Sequence, residues 1–132
     1  MIKLLDKQMS KDLAEFTFAC IEALYFSETG EYDQPSPTAT MDTQTQLNIE
    51  ADCRSWWKRF GCFVTADQCI FSGQGVTKTI QAGYDFWFTR NGHGCGFWDG
   101  DWSSNYSKMF EDGAKGYGTF DIIKGDDRKI YS

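Results

Sequence analysis

Between positions 12 and 52 the chain carries no lysine, arginine or histidine. The same stretch holds nine carboxylates: Asp12, Glu15, Glu22, Glu28, Glu31, Asp33, Asp42, Glu50 and Asp52. The rest of the chain has 13 cations against 10 carboxylates, so the formal net charge of −6 comes from this one segment. Such a segment repels phosphate backbones and attracts basic surfaces. It argues against direct nucleic-acid binding and predicts a protein partner with a basic surface.

Long apolar runs are also missing. No stretch approaches the roughly 18 consecutive apolar residues of a membrane helix, and the first residues, MIKLLDKQMS, are too polar for a secretory signal. A chain of 132 residues that is 41% hydrophobic and 17% aromatic can nevertheless bury one core. We therefore expect one domain over residues 1–132 that is soluble and cytoplasmic, without membrane contact.

Metal-ligand and cofactor signatures are absent as well. There is one histidine, and the five cysteines include no C-x2-C pair, which leaves a tetrahedral zinc site little support. We expect most of the cysteines to be reduced and buried. The glycine-rich stretch GHGCG at 92–96 lacks the Lys-Ser or Lys-Thr that follows a phosphate-binding loop. No metal and no cofactor are therefore expected.

Helical periodicity is clear in the first half of the chain. Ser10 is a suitable N-cap for a helix over residues 12–27, although Phe18 and Phe26 lie off its apolar stripe and predict a second covered side. A polar connection over 31–43 contains both prolines. A second helix is predicted from position 42 or 43 to position 60, with Gly61 as its left-handed C-cap.

The second half of the chain is less regular. Residues 77–90 fit both a strand and a helix, and we favour a helix capped by Thr77 or Thr79, with Asn91-Gly92 as its C-cap. Further predictions are a short helix over 65–71 stopped by Gly73, an extended piece over 96–98, a helix over 104–114, and a terminal hairpin of 119–123 and 128–131. These elements predict an α+β fold, with three or four helices packed on a small antiparallel sheet.

Aromatic residues are concentrated in two places. The stretch GYDFWFTRNGHGCGFWDGDW at 83–102 holds three of the five tryptophans and the only histidine, interleaved with glycines, and predicts a folded corner. Trp56 and Trp57 are adjacent in a predicted helix, so one of them should be half exposed, either covering a loop or serving as a binding anchor. The sequence does not decide between core and interface.

A second group of polar residues lies in the same stretch: Arg90, His93, Asp99 and Asp101. A histidine near carboxylates could bind a metal or act as a general base, so a metal-dependent hydrolase or nuclease using His93, Asp99 and Asp101 is the alternative function. The structural interpretation is a hydrogen-bonded turn, with Arg90 paired to Asp85 or Asp99. A calcium loop from Asp99 fails, because serine and phenylalanine occupy its glycine and glutamate positions.

The string DFWFTRNGHGCGFWD at 85–99, with Gly125-Asp126-Asp127 and Ile130-Tyr131, resembles a set of small acidic proteins encoded by bacteriophages. The similarity is specific over residues 82–99, fainter in the hairpin, and does not cover the first sixty residues. It carries no catalytic roles. It implies a bacterial cytoplasm during phage infection, where small acidic phage proteins often bind a host or defence protein, as anti-CRISPR and antirestriction proteins do.

Together these observations predict a non-enzymatic phage accessory protein that inhibits a host or defence protein through an acidic surface that imitates nucleic acid. The candidate contacts lie on the polar side of the first helix or in the loop after it: Glu15, Glu22, Glu28, Glu31 and Asp33. A structural role in the virion is a third possibility. The sequence leaves the partner's identity and the oligomeric state open.

Overall fold

A computed structural model describes residues 2–67 and 76–132. Its elements are α1 (Lys11–Glu28), α2 (Thr43–Ala66), α3 (Lys78–Asn91), α4 (Ser104–Lys115), β1 (Ile123–Lys124) and β2 (Ile130–Tyr131). The two strands pair antiparallel at the C-terminus, with Ile123 opposite Tyr131. The predicted α+β class, with four helices and a small antiparallel sheet, is confirmed.

Each helix begins at a polar cap, as the sequence suggests for most of them. The side chains of Ser10, Asp42, Thr77 and Ser103 accept backbone N–H bonds from the first turns of α1, α2, α3 and α4. Such bonds satisfy N–H groups that have no partner inside the helix. At the other end of α3, Gly92 adopts a left-handed φ of 69°. Residues 78–91 are therefore helical, as favoured over the strand.

Trp56 is the centre of the hydrophobic core. It is fully buried and stacks on Phe16 and Phe97, with ring centroids 5.2 and 5.3 Å away. Phe86 and Phe110 contact it at 5.6 and 5.5 Å. One aromatic side chain thus joins α1, α2, α3, α4 and the turn before α4. Trp57, by contrast, is half-buried and covers Phe16 from the side, so the expectation that one of the pair would be half exposed is confirmed.

Helices α1 and α3 run side by side in the same direction. A Cβ on Gly83 would lie 2.4 Å from the carbonyl oxygen of Phe16 and 2.7 Å from the Cβ of Ala19, so only glycine allows this approach. Contacts along the pair rise in parallel, from Thr77 beside Glu15 to Tyr84 beside Glu22. The close packing places the polar edge of α1 against α3.

The predicted end of α2 is wrong. The helix continues past Gly61 to Ala66 because Val64 extends its buried stripe into the core. Gly61 makes room for the Trp57 indole, whose Cε2 would be 2.6 Å from an added Cβ. The short helix predicted over 65–71 also fails at its start, since residues 65 and 66 belong to α2. Residues 68–73 of that prediction lie outside the described residues.

The extended piece predicted over 96–98 is a turn. Asp99 closes it with two bonds: its N–H donates to the Gly96 carbonyl at 3.1 Å, and its carboxylate accepts the Gly96 N–H at 2.9 Å. The Phe97 N–H donates to the Thr89 hydroxyl, which directs the Phe97 ring into the core. The strands of the terminal hairpin are also shorter than predicted, with two residues each.

The loop before α2 is attached to the sheet. Met41 forms an isolated parallel bridge with Ile130, where the Ile130 N–H donates to the Thr40 carbonyl and the Asp42 N–H donates to the Ile130 carbonyl. Ile130 is fully buried. The sheet therefore anchors the loop just before α2.

Candidate functional site

Three glutamates of the predicted contact surface line the seam between α1 and α3. The Thr77 hydroxyl donates to Glu15 at 2.8 Å, and the Tyr84 hydroxyl donates to Glu22 at 3.3 Å. Glu28 Oε2 lies 2.8 Å from His93 Nε2. Two of the three therefore face neutral hydroxyls and keep their negative charge uncompensated, whereas Glu28 faces the only histidine of the chain.

The contact between Glu28 and His93 involves a buried carboxylate oxygen. Glu28 Oε2 is buried and has no hydrogen-bond partner with proper donor geometry among the described residues, although the ion-pair distance is short. An unpaired buried carboxylate oxygen is costly. The close contact with His93 therefore holds Glu28 between the C-terminal ends of α1 and α3. Of the predicted contact residues, Glu28 is the least available to a partner.

Glu31 and Asp33 form an acidic loop, residues 31–33, directly after α1. Both side chains are exposed, and no ion pair reaches either of them among the described residues. Tyr32 between them is fully exposed, at 100% of its surface. Lys124 and Arg128 line the same groove as Glu31, about 590 Å³ in volume. The acidic loop therefore presents two unpaired carboxylates around an exposed tyrosine, with cations only at its border.

Three of the other carboxylates of the cation-free segment hold the fold, and the fourth, Asp12, is exposed in the first turn of α1. Asp42 caps α2, and the buried Glu50 accepts the N–H groups of Leu5 and Asp6 at 2.9 and 2.8 Å. Asp52 pairs with Arg90 at 2.9 Å. The negative surface is therefore smaller than the segment, and consists of the α1 edge and the acidic loop.

An aromatic groove lies at the C-terminal end of this surface. It has a volume of about 380 Å³ and is lined by Glu22, Ala23, Phe26, Tyr84 and Phe88. Phe26 is 83% exposed and meets Phe88 edge to face at 6.5 Å. The expectation that a second side of α1 is covered is wrong at Phe26. A position off the apolar stripe fits an exposed aromatic as well as a covered one, and the exposure of Phe26 decides between them.

A second and larger groove lies on the other side of Glu22. It measures about 590 Å³ and runs between the N-terminal residues Ile2 and Lys3, the α1 residues Phe18 and Tyr25, and the loop before α2. The Tyr25 hydroxyl donates to the Ala39 carbonyl across its floor at 2.7 Å. Its lining mixes a cation with a carboxylate, so it has no single charge character.

Arg90 does not belong to a surface site. Its side chain is 2% exposed, pairs with Asp52, and donates to the carbonyls of Gly118 and Tyr117 at 2.9 and 3.1 Å. The guanidinium also lies over the Phe86 ring at 5.4 Å. Its predicted pairing with Asp85 or Asp99 is wrong. Arg90 therefore joins α2 to the segment after α4 inside the protein.

The residues of the alternative metal site are not brought together. His93 faces Glu28, while Asp99 closes its own turn. No hydrogen bond or ion pair joins His93 to Asp99 or Asp101 within the described ranges. Over residues 2–67 and 76–132, no group of three or more His, Cys, Asp and Glu side chains is placed to hold a metal ion.

A buried carboxyl that sequence reasoning did not single out lies beneath this turn. Asp85 accepts the Trp102 indole N–H at 2.7 Å and the Gln81 amide at 3.0 Å. Burial raises the pKa of Asp85 to about 7, against the lowering effect of these two hydrogen bonds. The partial burial of Cys95 itself, with Asp99 and Asp85 nearby, raises the pKa of its thiol. A nucleophilic thiol needs a lowered pKa, so this environment does not activate Cys95.

No protein-family model, curated protein or solved structure matches the chain. Among the described residues, no helix is both long enough and apolar enough to cross a bilayer. The acidic loop, the α1 edge and the aromatic groove are the surface features that suggest a function.

Proposed function

We propose that this chain is a non-enzymatic protein that binds a basic surface of another protein through the acidic loop and the adjoining edge of α1. The observation that carries the proposal is the environment of Glu31 and Asp33, which are exposed and free of ion pairs among the described residues. Carboxylates that hold no part of the fold in place remain available to a partner. Spaced negative charges accelerate encounter with a basic surface.

The neighbouring side chains support the same proposal. Tyr32 and Phe26 are exposed beside the carboxylates, and aromatic side chains supply much of the binding energy at protein interfaces. Glu15 and Glu22 extend the negative charge along α1, since their partners are neutral hydroxyls. The surface thus combines anchors for affinity with charge for orientation.

The similarity of residues 82–99 to small acidic phage proteins supplies the biological setting of the proposal. In that setting the partner is a nucleic-acid-binding host or defence protein in the bacterial cytoplasm. A surface of spaced carboxylates would occupy the groove where such a protein holds phosphates, which makes the chain an inhibitor of the anti-CRISPR or antirestriction type. The likeness to phage proteins and the negative charge of the surface support this type of inhibitor.

The test is capture from a lysate of phage-infected bacteria on the immobilised full chain. The variant Glu31→Lys/Asp33→Lys reverses the acidic loop, and Asp112→Lys/Asp121→Lys makes the same change in net charge at exposed positions on α4 and after it. Glu28 is left unchanged because it faces His93.

We expect the unchanged chain and the control variant to retain a basic protein that raised salt releases. The loop variant should retain several-fold less of it, since the on-rate depends on the complementary charge. Equal retention by both variants would contradict the proposal.

A further inference from the structure

We infer that the aromatic groove receives an arginine side chain of the basic partner, with the guanidinium against Glu22. This inference deepens the proposed function and rests on it. Tyr84 donates to Glu22 Oε1, and no other described hydrogen bond or ion pair involves the Glu22 side chain. The second carboxylate oxygen therefore has no described partner, and Glu22 lines a groove whose remaining lining is alanine and aromatic rings.

The size and lining of the groove favour one side chain over a larger ligand. Its volume of about 380 Å³ is near the lower end of the roughly 300–1,000 Å³ of small-molecule pockets. An arginine places an apolar stem along such walls and stacks its planar guanidinium on an aromatic face. The ammonium of lysine is more strongly hydrated and does not stack, so the groove should prefer arginine.

Charge decides between the partners that an exposed aromatic groove could have. A second copy of this chain would bring Glu22 and the acidic loop against their own like charges, which opposes self-pairing. An anionic lipid surface is repelled for the same reason. A basic protein segment is the partner whose charge complements the groove and its acidic border.

The experiment follows the backbone amide signals of the isotope-labelled chain by NMR during titration with a hexa-arginine or a hexa-lysine peptide. We expect saturable shifts at Ala23, Phe26 and Phe88 with the arginine peptide, and binding about fivefold tighter than that of the lysine peptide, as one cation–π contact would give. Phe26→Ala and Glu22→Gln should each remove most of that preference. Phe26 is 83% exposed, so its replacement leaves the core intact.

Three outcomes would overturn the inference. Equal binding of the two peptides, unaffected by Phe26→Ala but weakened by Glu31→Lys/Asp33→Lys, would show charge attraction without a groove and leave the proposed function standing. Absence of any groove shift at millimolar peptide would exclude the site, while the capture experiment would still decide the proposed function by itself. Shifts of the groove signals with protein concentration alone would indicate a second copy of the chain as the occupant.

Discussion

The carboxylates inside the molecule and those at the C-terminal end of α1 have opposite roles. Glu50, Asp52 and Asp85 each accept two or more hydrogen bonds or hold a buried cation. Glu31 and Asp33 are exposed and have no ion-pair partner among the described residues. The same residue types thus stabilise the fold in one region and are exposed without an ion pair in the other. The two groups of carboxylates differ in their burial and in their hydrogen-bond and ion-pair partners, although the residue types are the same.

The aromatic residues repeat this division. Trp56 is surrounded by rings and fully buried, whereas Phe26 and Tyr32 stand on the surface beside the free carboxylates. A protein that needed Phe26 only for its core would bury it, because leaving such a ring in water forfeits about 1.5–3 kcal/mol. Exposed rings and free carboxylates thus both occur at the end of α1 and in the loop after it.

The largest expected effect comes from Arg90→Met, which removes the cation from the interior. It would leave the Gly118 and Tyr117 carbonyls and Asp52 without their donor, and breaking a buried ion pair in this way costs about 3–5 kcal/mol. Chemical denaturation measures the free energy of unfolding.

The matched control for Arg90→Met is Arg54→Met, which removes a partly exposed pair with Asp6. Exposed pairs contribute about 0–1 kcal/mol. Similar losses in the two variants would mean that the interior of the protein does not depend on Arg90.

The next effect is a pH dependence at Asp85. Its pKa rises from 3.8 to about 7 on folding. Between these two pH values the folded state keeps the proton on Asp85, whereas the unfolded state has released it. Stability from this group is therefore complete below pH 3.8 and is lost as the pH rises to about 7, by up to about 1.4 kcal/mol per unit.

Asp85→Asn tests that sign directly. The amide oxygen still accepts the Trp102 N–H, and the Gln81 amide can turn to accept the new N–H. The variant should gain stability relative to the unchanged chain as the pH rises from 4 to 8, by up to about 4 kcal/mol. Thermal unfolding across this range measures the difference, and a difference independent of pH would contradict the buried, protonated state.

The smallest expected effect on stability comes from substitutions in the acidic loop. Glu31→Lys/Asp33→Lys should change the free energy of unfolding by less than about 0.5 kcal/mol, as surface substitutions without partners do. The measurement is the same chemical denaturation. A loss above about 1 kcal/mol would assign these carboxylates to the fold and remove the distinction on which the proposed surface depends.

Local signals predicted the fold well where the chain itself carries them. Ser10 and Thr77 cap their helices, and Gly92 ends α3, because caps depend on neighbouring residues. The predicted end of α2 was wrong because the glycine at position 61 leaves space for the Trp57 indole and does not end the helix. A glycine required by packing looks the same in the sequence as a glycine that ends a helix.

The candidate site was less accessible to sequence reasoning. The absence of cations from 12 to 52 predicts a negative region, but not which carboxylates stay free. Arg90 with Asp52, and His93 with Glu28, join positions 38 and 65 residues apart. Such pairs form only when the helices pack against one another. Periodicity and spacing in the sequence therefore do not predict them.

Docking through the acidic loop is tested most sharply by the association rate of the captured partner as a function of ionic strength. We expect the association rate to fall steeply with salt for the unchanged chain and for Asp112→Lys/Asp121→Lys. For Glu31→Lys/Asp33→Lys we expect a slower rate with a shallower dependence on salt. An association rate and a salt dependence that are the same for all three proteins would contradict docking through the acidic loop.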